Sequence, residues 1–211
     1  MAGAAADVSN DDSVRYLWDE SLAAFGKIDI WINNAGISHE QAPAWQIPVN
    51  ELQSVIQTNI LGDLYGTRVA MQGFMEQGFG ALYNVEGMGA DRKTHGVKGL
   101  SVYGMSKAGL HYFNRCLAGE VDHPHIITGA LQPGMVLTDM IMDRYKDRPE
   151  DWKSDQKILR IIASPVDDVA AWMADKIIEN DKNGVYFKYS NAWRMLKRMT
   201  LTFLHSKTSG K

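Results

Sequence analysis

Ile28-Asp29-Ile30-Trp31-Ile32-Asn33-Asn34-Ala35-Gly36 opens on a short β-branched run and stops on two asparagines, an alanine and a glycine, the pattern of a strand that ends in a turn. Working back from it, Ser9-Asn10-Asp11-Asp12 has the form of a capping box. Val14, Leu17, Trp18, Leu22 and Phe25 follow at helical spacing before Gly26, which predicts a helix of about four turns. Working forward, Pro43 and Pro48 punctuate a loop, and a long helix is predicted over residues 50–77, carrying Leu52, Val55, Ile56, Ile60, Leu64 and Met71. Gly62, Gly66 and Gly73 lower its intrinsic propensity and point to close packing. The alternation then repeats, with strands predicted at 28–32, 81–85, 126–131 and 185–189. Between them lie a glycine-rich loop at Gly87-Met88-Gly89, a helix at 101–121, and a helix opened by Ser164-Pro165-Val166-Asp167 with proline at its first position, ending near Asn180. Alternating strands and helices predict an α/β fold, a doubly wound parallel sheet covered by helices.

At 211 residues the chain is read as one domain, residues 1–211. A net charge of −3 with 22% charged residues gives no reason to bind nucleic acid or acidic membranes, so a small molecule is the expected partner. Cys116 is the single cysteine, which excludes an intrachain disulfide, and its helical surroundings read as a packed thiol. No apolar run reaches the roughly 20 residues of a membrane-spanning helix, and residues 1–6 lack the charged and apolar regions of a signal peptide. Cytoplasmic or otherwise intracellular placement is the resulting expectation. Residues 138–163 are polar with scattered apolar positions, the composition of a substrate lid built from short helices or of a plain surface insertion. Residues 193–204 are apolar and basic by turns and are expected to dock on protein.

Open parallel sheets bind ligands beyond the carboxyl ends of their strands, and the loops there are the unusual ones in this sequence. They hold Asn33-Asn34-Ala35-Gly36, then Gly87 to Ala90, then Pro133-Gly134-Met135-Val136-Leu137-Thr138. Between the last two, Tyr103-Gly104-Met105-Ser106-Lys107 places a phenol and an ammonium four residues apart, on one helix face. A phenol of ordinary pKa near 10 is a poor acid or base at neutrality, but a lysine cation beside it stabilises the phenolate and lowers that value. Such a group can pass a proton to or from a reacting oxygen.

Taken together, Asn33-Asn34-Ala35-Gly36, Asn59, Tyr103 to Lys107, and Pro133-Gly134 with Thr138 resemble, in order and spacing, the motifs of the short-chain dehydrogenase/reductase family, over roughly residues 7–189. The resemblance implies a nicotinamide-dependent oxidoreductase that reduces a carbonyl or oxidises an alcohol by hydride transfer. Tyr103 would be the general acid/base, Lys107 would hold the nicotinamide ribose and lower the tyrosine pKa, and Asn59 would keep a water in a proton relay. Asn33, Ala35 and Gly36 would support the central strand and the cofactor's adenosine-ribose side. Pro133 and Gly134 open the third cofactor loop, Val136 and Thr138 would contact the nicotinamide amide or pyrophosphate, and Asp7 looks like the aspartate that touches the adenine. The cofactor implied is NAD(P)H, with NAD versus NADP unassigned, and no metal is implied. Family members commonly pack two long helices, here 50–77 and 101–121, against a partner's, which implies a homo-oligomer. At a finer level, residues 28–36, 84–89 and 133–138 look like the chlorophyll b reductase branch, where a formyl group becomes a hydroxymethyl group.

Two departures accompany the resemblance. The family sets a substrate-binding serine in the loop after the second strand seen here; counting back from Tyr103 gives Ala90 and aligning on Asn84 gives Gly87, neither with a hydroxyl. Thr94 and Ser101 are the candidate substitutes, and Glu86 is read as structural or solvated. The glycine-rich phosphate loop and its strand are not found ahead of Asp7, so the sequence is expected to be truncated, leaving the strand at 28–32 as an apolar edge. The competing reading is a non-catalytic relative that uses the fold as a binding or oligomer scaffold.

Overall fold

The computed structural model describes residues 1–90, 96–146 and 149–189. Thr94 and the tail at 193–204 lie outside the described residues. The chain forms two compact units, Met1–Leu131 with Asp181–Tyr186, and Gln132–Asn180 with the segment from Phe187 onward.

In the first unit, helix α1 (Asp11–Phe25) is capped by Asn10, whose side-chain oxygen accepts from the Ser13 amide at 2.9 Å, and it ends at Gly26 in the left-handed conformation, φ 74°. The cap is therefore Asn10 and not Ser9, because Ser9 turns back and donates through its hydroxyl to Asp7 Oδ1 at 2.7 Å. Strand β1 spans Ile30–Asn33 and starts two residues later than the sequence pattern suggests. The backbone of Ile28 is taken up by the Gln77 side chain, which accepts from its N–H (3.1 Å) and donates to its carbonyl (2.9 Å).

The predicted 50–77 helix is three pieces: α2 (Val49–Ile56), a π turn over Gln57–Leu61, and α3 (Gly62–Gln77), ended by Gly78 at φ 84°. Single π turns inside α-helices widen the ring by one residue and recur at functional positions. This one carries Asn59, which is wholly buried. Strand β2 (Gly80–Val85), helix α4 (Ser101–Glu120), strand β3 (Ile126–Gln132) and strand β4 (Val185–Lys188) complete the pattern. The sheet order is β1-β2-β3-β4, with β1/β2 and β2/β3 parallel, Asn33 opposite Asn84 and Asn84 opposite Ala130. Helix α3 packs on β1 and β2, α1 packs on α3, and α2 with the π turn packs on α4. The fold is the expected α/β doubly wound type. Among the described residues β1 is an edge strand, and its Ile30 and Ile32 stay 40% and 44% exposed. An apolar strand with one unpaired edge is a ready template for pairing.

The core of this unit gathers Val14, Trp18, Val69, Phe74, Leu82, Leu117 and Ile126. Trp18 lies 5.4 Å from Phe74 in an edge-on contact and 5.6 Å from Trp31. The glycines of α3 make this packing: a Cβ on Gly73 would fall inside the Trp18 indole, and one on Gly66 would strike the Asn33 side chain. Gly73→Ala therefore forces Trp18 off its partners. The expected loss is about 1–3 kcal/mol despite alanine's better helix propensity, and a urea unfolding curve measures it; a stability equal to or above the parent's contradicts the packing argument.

The second unit holds α5 (Asp139–Met142), a 3-10 turn (Asp143–Tyr145), α6 (Pro149–Ile162) and α7 (Val166–Ile178). The described part of residues 138–163 is thus mostly helical, with α6 the longest piece at 14 residues. Pro165 sits at the N-cap of α7 and not at its first helical position. Val136 pairs with Ser164 in a parallel bridge, and the Tyr145 hydroxyl meets Asp155 Oδ2 at 3.1 Å.

Candidate active site

Lys107 is the centre of the arrangement. It lies one turn after Tyr103 on α4, is 4% exposed, and donates from Nζ to the Val85 carbonyl at 3.0 Å, at the end of β2. The opposite approach is made by the loop after β1. A Cβ on Gly36 would lie 3.5 Å from both Lys107 Nζ and Asn59 Oδ1, so these three residues converge. Both ends of the Asn59 amide are engaged: Oδ1 accepts from the Ile37 N–H (2.8 Å), and Nδ2 donates to the Ile37 carbonyl (2.9 Å) and to Ser106 Oγ (3.1 Å). Its side chain fastens the loop after β1 to the helix that carries Tyr103.

Two contacts hold the backbone around Tyr103. Ser106 Oγ donates to the Tyr103 carbonyl at 2.7 Å, and His39, buried in the loop after β1, accepts the Tyr103 N–H at Nε2 (3.4 Å) while its Nδ1 lies 2.7 Å from the Glu40 carbonyl. A first-turn N–H of α4 is thereby satisfied from outside the helix, where Leu100 at the N-cap has no side-chain acceptor. The phenol itself lies against Gly87, whose missing Cβ would come 2.5 Å from Tyr103 Oη. The ambiguity over the absent serine resolves here, since Gly87 is the residue beside the phenol and Ala90 is buried. Ser101 is exposed at the start of α4 and Ser106 Oγ is already engaged.

Behind this cluster a line of buried and half-buried polar side chains ties three elements together. Trp31 Nε1 donates to Asn33 Oδ1 (2.8 Å), Asn33 Nδ2 to Asn84 Oδ1 (2.7 Å), Asn84 Nδ2 to Asn114 Oδ1 (2.6 Å), and Asn114 Nδ2 to Glu86 Oε1 (2.9 Å). His111 Nδ1 closes the line 3.0 Å from Glu86 Oε2. Fully satisfied networks of this kind rigidify a core. Here the network pins α4 to the carboxyl ends of β1 and β2, which is how the sequence aims Tyr103 and Lys107. Glu86 is structural, as its sequence context suggested, though buried and not solvated.

Asp63 was not singled out in the sequence. It is 3% exposed, and its Oδ2 is buried without a hydrogen-bond partner. Burial pushes its pKa up to about 7, against the pull of the Lys107 cation. Lys107 is in turn lowered by burial and held up by Asp63 and Glu86. The available signal was its spacing, four residues after Asn59 and four before Thr67, on a helix face that the structure buries.

Asp7 stands apart as an exposed turn residue. Its Oδ1 accepts from the Ser9 amide (2.9 Å) and hydroxyl (2.7 Å), and these bonds hold its carboxyl below the usual carboxylate range. Ala35 is exposed in the loop after β1. Pro133, Gly134, Val136 and Thr138 belong to the second unit. There Gly134 takes φ 75°, the Thr138 amide donates to the Val136 carbonyl (2.9 Å), and the Leu137 amide donates to the Ser164 carbonyl (3.4 Å).

Residues 1–149 match the family model described as short chain dehydrogenase. Among curated proteins, the chain is 32% identical over 143 residues to the probable chlorophyll(ide) b reductase of Oryza sativa subsp. japonica, a match spanning 67% of this chain and 28% of that protein. It is 30% identical over 181 residues to 3beta-hydroxysteroid dehydrogenase 1 of Eggerthella lenta, spanning 82% of this chain and 66% of that one. The chain thus spans less than two thirds of the length of each of these relatives. Among solved structures, the 3-ketoacyl-(acyl-carrier-protein) reductase of Brucella melitensis, complexed with NADH, superposes with a TM-score of 0.73 at 26% identity over 88% of this chain and 75% of that one. With the family model covering residues 1–149, well over half of its length, the chain belongs to the short-chain dehydrogenase family.

Proposed function

We propose that the protein is an NAD(P)H-dependent oxidoreductase that reduces a small carbonyl compound, or oxidises the corresponding alcohol, with Tyr103 as the proton donor and acceptor. The observation that carries this reading is the Tyr103–Lys107 pair, a phenol beside a bare glycine with a buried ammonium one turn away. Kindred folds support the cofactor class, since the Brucella structure holds NADH.

The donor chemistry fits a nicotinamide nucleotide. Lys107 Nζ has one N–H on Val85 and faces the side-chain-free surface of Gly36, so its remaining N–H groups can meet ribose hydroxyls. When bound, the nucleotide supplies or accepts the hydride. Tyr103 then delivers the balancing proton to the developing alkoxide, and the Lys107 cation favours the phenolate left behind. Asn59 acts through the Ile37 backbone, fixing the loop that meets Lys107, while His39 and Ser106 hold the first turn of α4. Because Gly87 carries no hydroxyl, Tyr103 does more of the work of binding the substrate oxygen than in a relative with a serine there.

Within the first unit, Asp7 with Asn33, Ala35 and Gly36 is assigned by the family resemblance to the cofactor's adenosine side. Subunits pair through α2–α3 and α4, whose Met105 and Tyr112 remain exposed. The substrate proposed first is a formyl-bearing tetrapyrrole, supported by the likeness to chlorophyll(ide) b reductases. Steroid and simple aldehyde carbonyls are the alternatives to assay beside it.

The test is a thermal melt with and without NADPH and NADH. A nucleotide present at about 100 times its Kd adds about 2.7 kcal/mol to stability, so one of the two is expected to raise the midpoint by several degrees. A cooperative melt that neither nucleotide moves overturns nucleotide binding by these residues and favours a scaffold role or a missing phosphate loop.

A further inference from the structure

Gly87 is boxed in by both members of the proposed pair. A Cβ built on it would lie 2.5 Å from Tyr103 Oη, 3.4 Å from Tyr103 Cζ and 3.2 Å from Lys107 Cγ. Non-bonded heavy atoms rest at about 3.5 Å or more, so a side chain here must move the backbone of residue 87, the lysine stem or the phenol. The backbone is fixed on both sides. Before it, the Glu86 N–H donates to the Leu131 carbonyl at 2.8 Å, and the Glu86 carboxylate accepts from Asn114 Nδ2 (2.9 Å) and meets His111 Nδ1 (3.0 Å). After it, the Ala90 N–H donates to the Gly87 carbonyl at 3.2 Å. Gly89, at φ 109°, lies so close to α4 that a Cβ there would come 2.4 Å from the Gly104 carbonyl oxygen, so the turn has no room to back away. Lys107 is buried and tethered at its far end to the Val85 carbonyl. The phenol is therefore the group that yields, its ring swinging about the side-chain torsions while the backbone of Tyr103 stays held by His39 and Ser106.

We propose that Gly87 is a positioning residue of the Tyr103–Lys107 pair: the Tyr103 hydroxyl lies where a side chain at residue 87 would begin, so a serine there displaces the phenol instead of completing the site. The proposal deepens the function proposed above and rests on Tyr103 being the proton donor. Sequence spacing alone makes position 87 a serine that is missing. The geometry makes it a position that has to stay bare. Opening the 2.5 Å approach to an ordinary contact moves the hydroxyl by about 1 Å, and a misplacement of that size at a reacting group costs on the order of 10²-fold in rate. The cost falls on the chemistry and not on the fold, because the part that moves is the end of one side chain.

The first test needs neither nucleotide nor substrate. The chain has 8 tyrosines; with carbon-13 at every tyrosine Cζ, the Tyr103 resonance is the one missing from Tyr103→Phe. In Gly87→Ala that resonance is expected to move while the others keep their places, and an unmoved Tyr103 resonance overturns the proposal. Should Gly87→Ala not fold, the parent chain decides: strong proton cross-relaxation between the Gly87 α-protons and the Tyr103 ring is expected, and its absence overturns the proposal. The second test is carbonyl turnover. Gly87→Ala and Gly87→Ser are both expected to lower kcat by about 10²-fold, with the nucleotide-induced melting shift retained. The serine variant is the sharper of the two, because an unfilled serine position predicts the reverse, a gain of roughly 10²–10³-fold from one added donor to the substrate oxygen. Turnover at or above the parent's in either variant overturns the proposal. The nucleotide melt reads nucleotide binding separately, so failure of one reading is distinguishable from failure of the other.

Discussion

Replacing Tyr103 by phenylalanine is expected to lower carbonyl turnover by about 10²–10⁴-fold, the range lost when a positioned acid or base is removed, with the nucleotide-induced melting shift retained. The loss should lie toward the upper end for a structural reason. In a site with a second hydroxyl, the developing alkoxide keeps one hydrogen bond when the phenol is gone. Here Gly87 occupies that place, and the Ser106 hydroxyl is committed to the Tyr103 carbonyl and to Asn59. The ring of phenylalanine fills the same space, so α4 keeps its His39 and Ser106 contacts, which involve backbone atoms of residue 103. Single-turnover reduction of the best carbonyl substrate, followed by nicotinamide absorbance, measures the effect. Turnover within about threefold of the parent would remove Tyr103 from the proton-transfer step.

The parallel sheet and the order of its helices were legible because each of the first three strands ends in a loop that carries glycine and its helices carry apolar stripes. What escaped the pattern was decided by side chains that reach the backbone from elsewhere. Gln77 takes both backbone groups of Ile28 and delays β1, and the π turn around Asn59 divides a helix that its periodicity presents as continuous. The candidate site was legible where one helix fixes the spacing, as in Tyr103 to Lys107 on α4. It was not legible where partners meet only through the fold. Asp63, Glu86 and Lys107 lie on three different elements, and His39 reaches Tyr103 across 64 positions of sequence. Composition carries no trace of such meetings, although an acid spaced by one turn from a buried asparagine was a clue.

The same acid makes stability depend on pH in an unusual direction. Asp63 has an ordinary carboxylate value of 3.8 when exposed and about 7 in the folded chain, with burial the larger cause and Lys107 the opposing one. The folded state therefore holds a proton that the unfolded state has released between those values. By linkage, this contribution is fully present below about pH 4, declines as pH rises, and is gone above about pH 7. Taking 1.36 kcal/mol per unit, the span corresponds to on the order of 4 kcal/mol, already net of the attraction to Lys107 because that attraction is part of the folded-state value. Asp63→Asn removes the ionisation while keeping the shape. Its stability relative to the parent should rise steadily from pH 4 to pH 7 and then level off, so that the variant outlasts the parent at pH 8. Urea unfolding at pH 5, 6, 7 and 8 reads this directly. Curves for parent and variant that run parallel over that range would mean that Asp63 is ionised throughout and finds a partner for its buried oxygen.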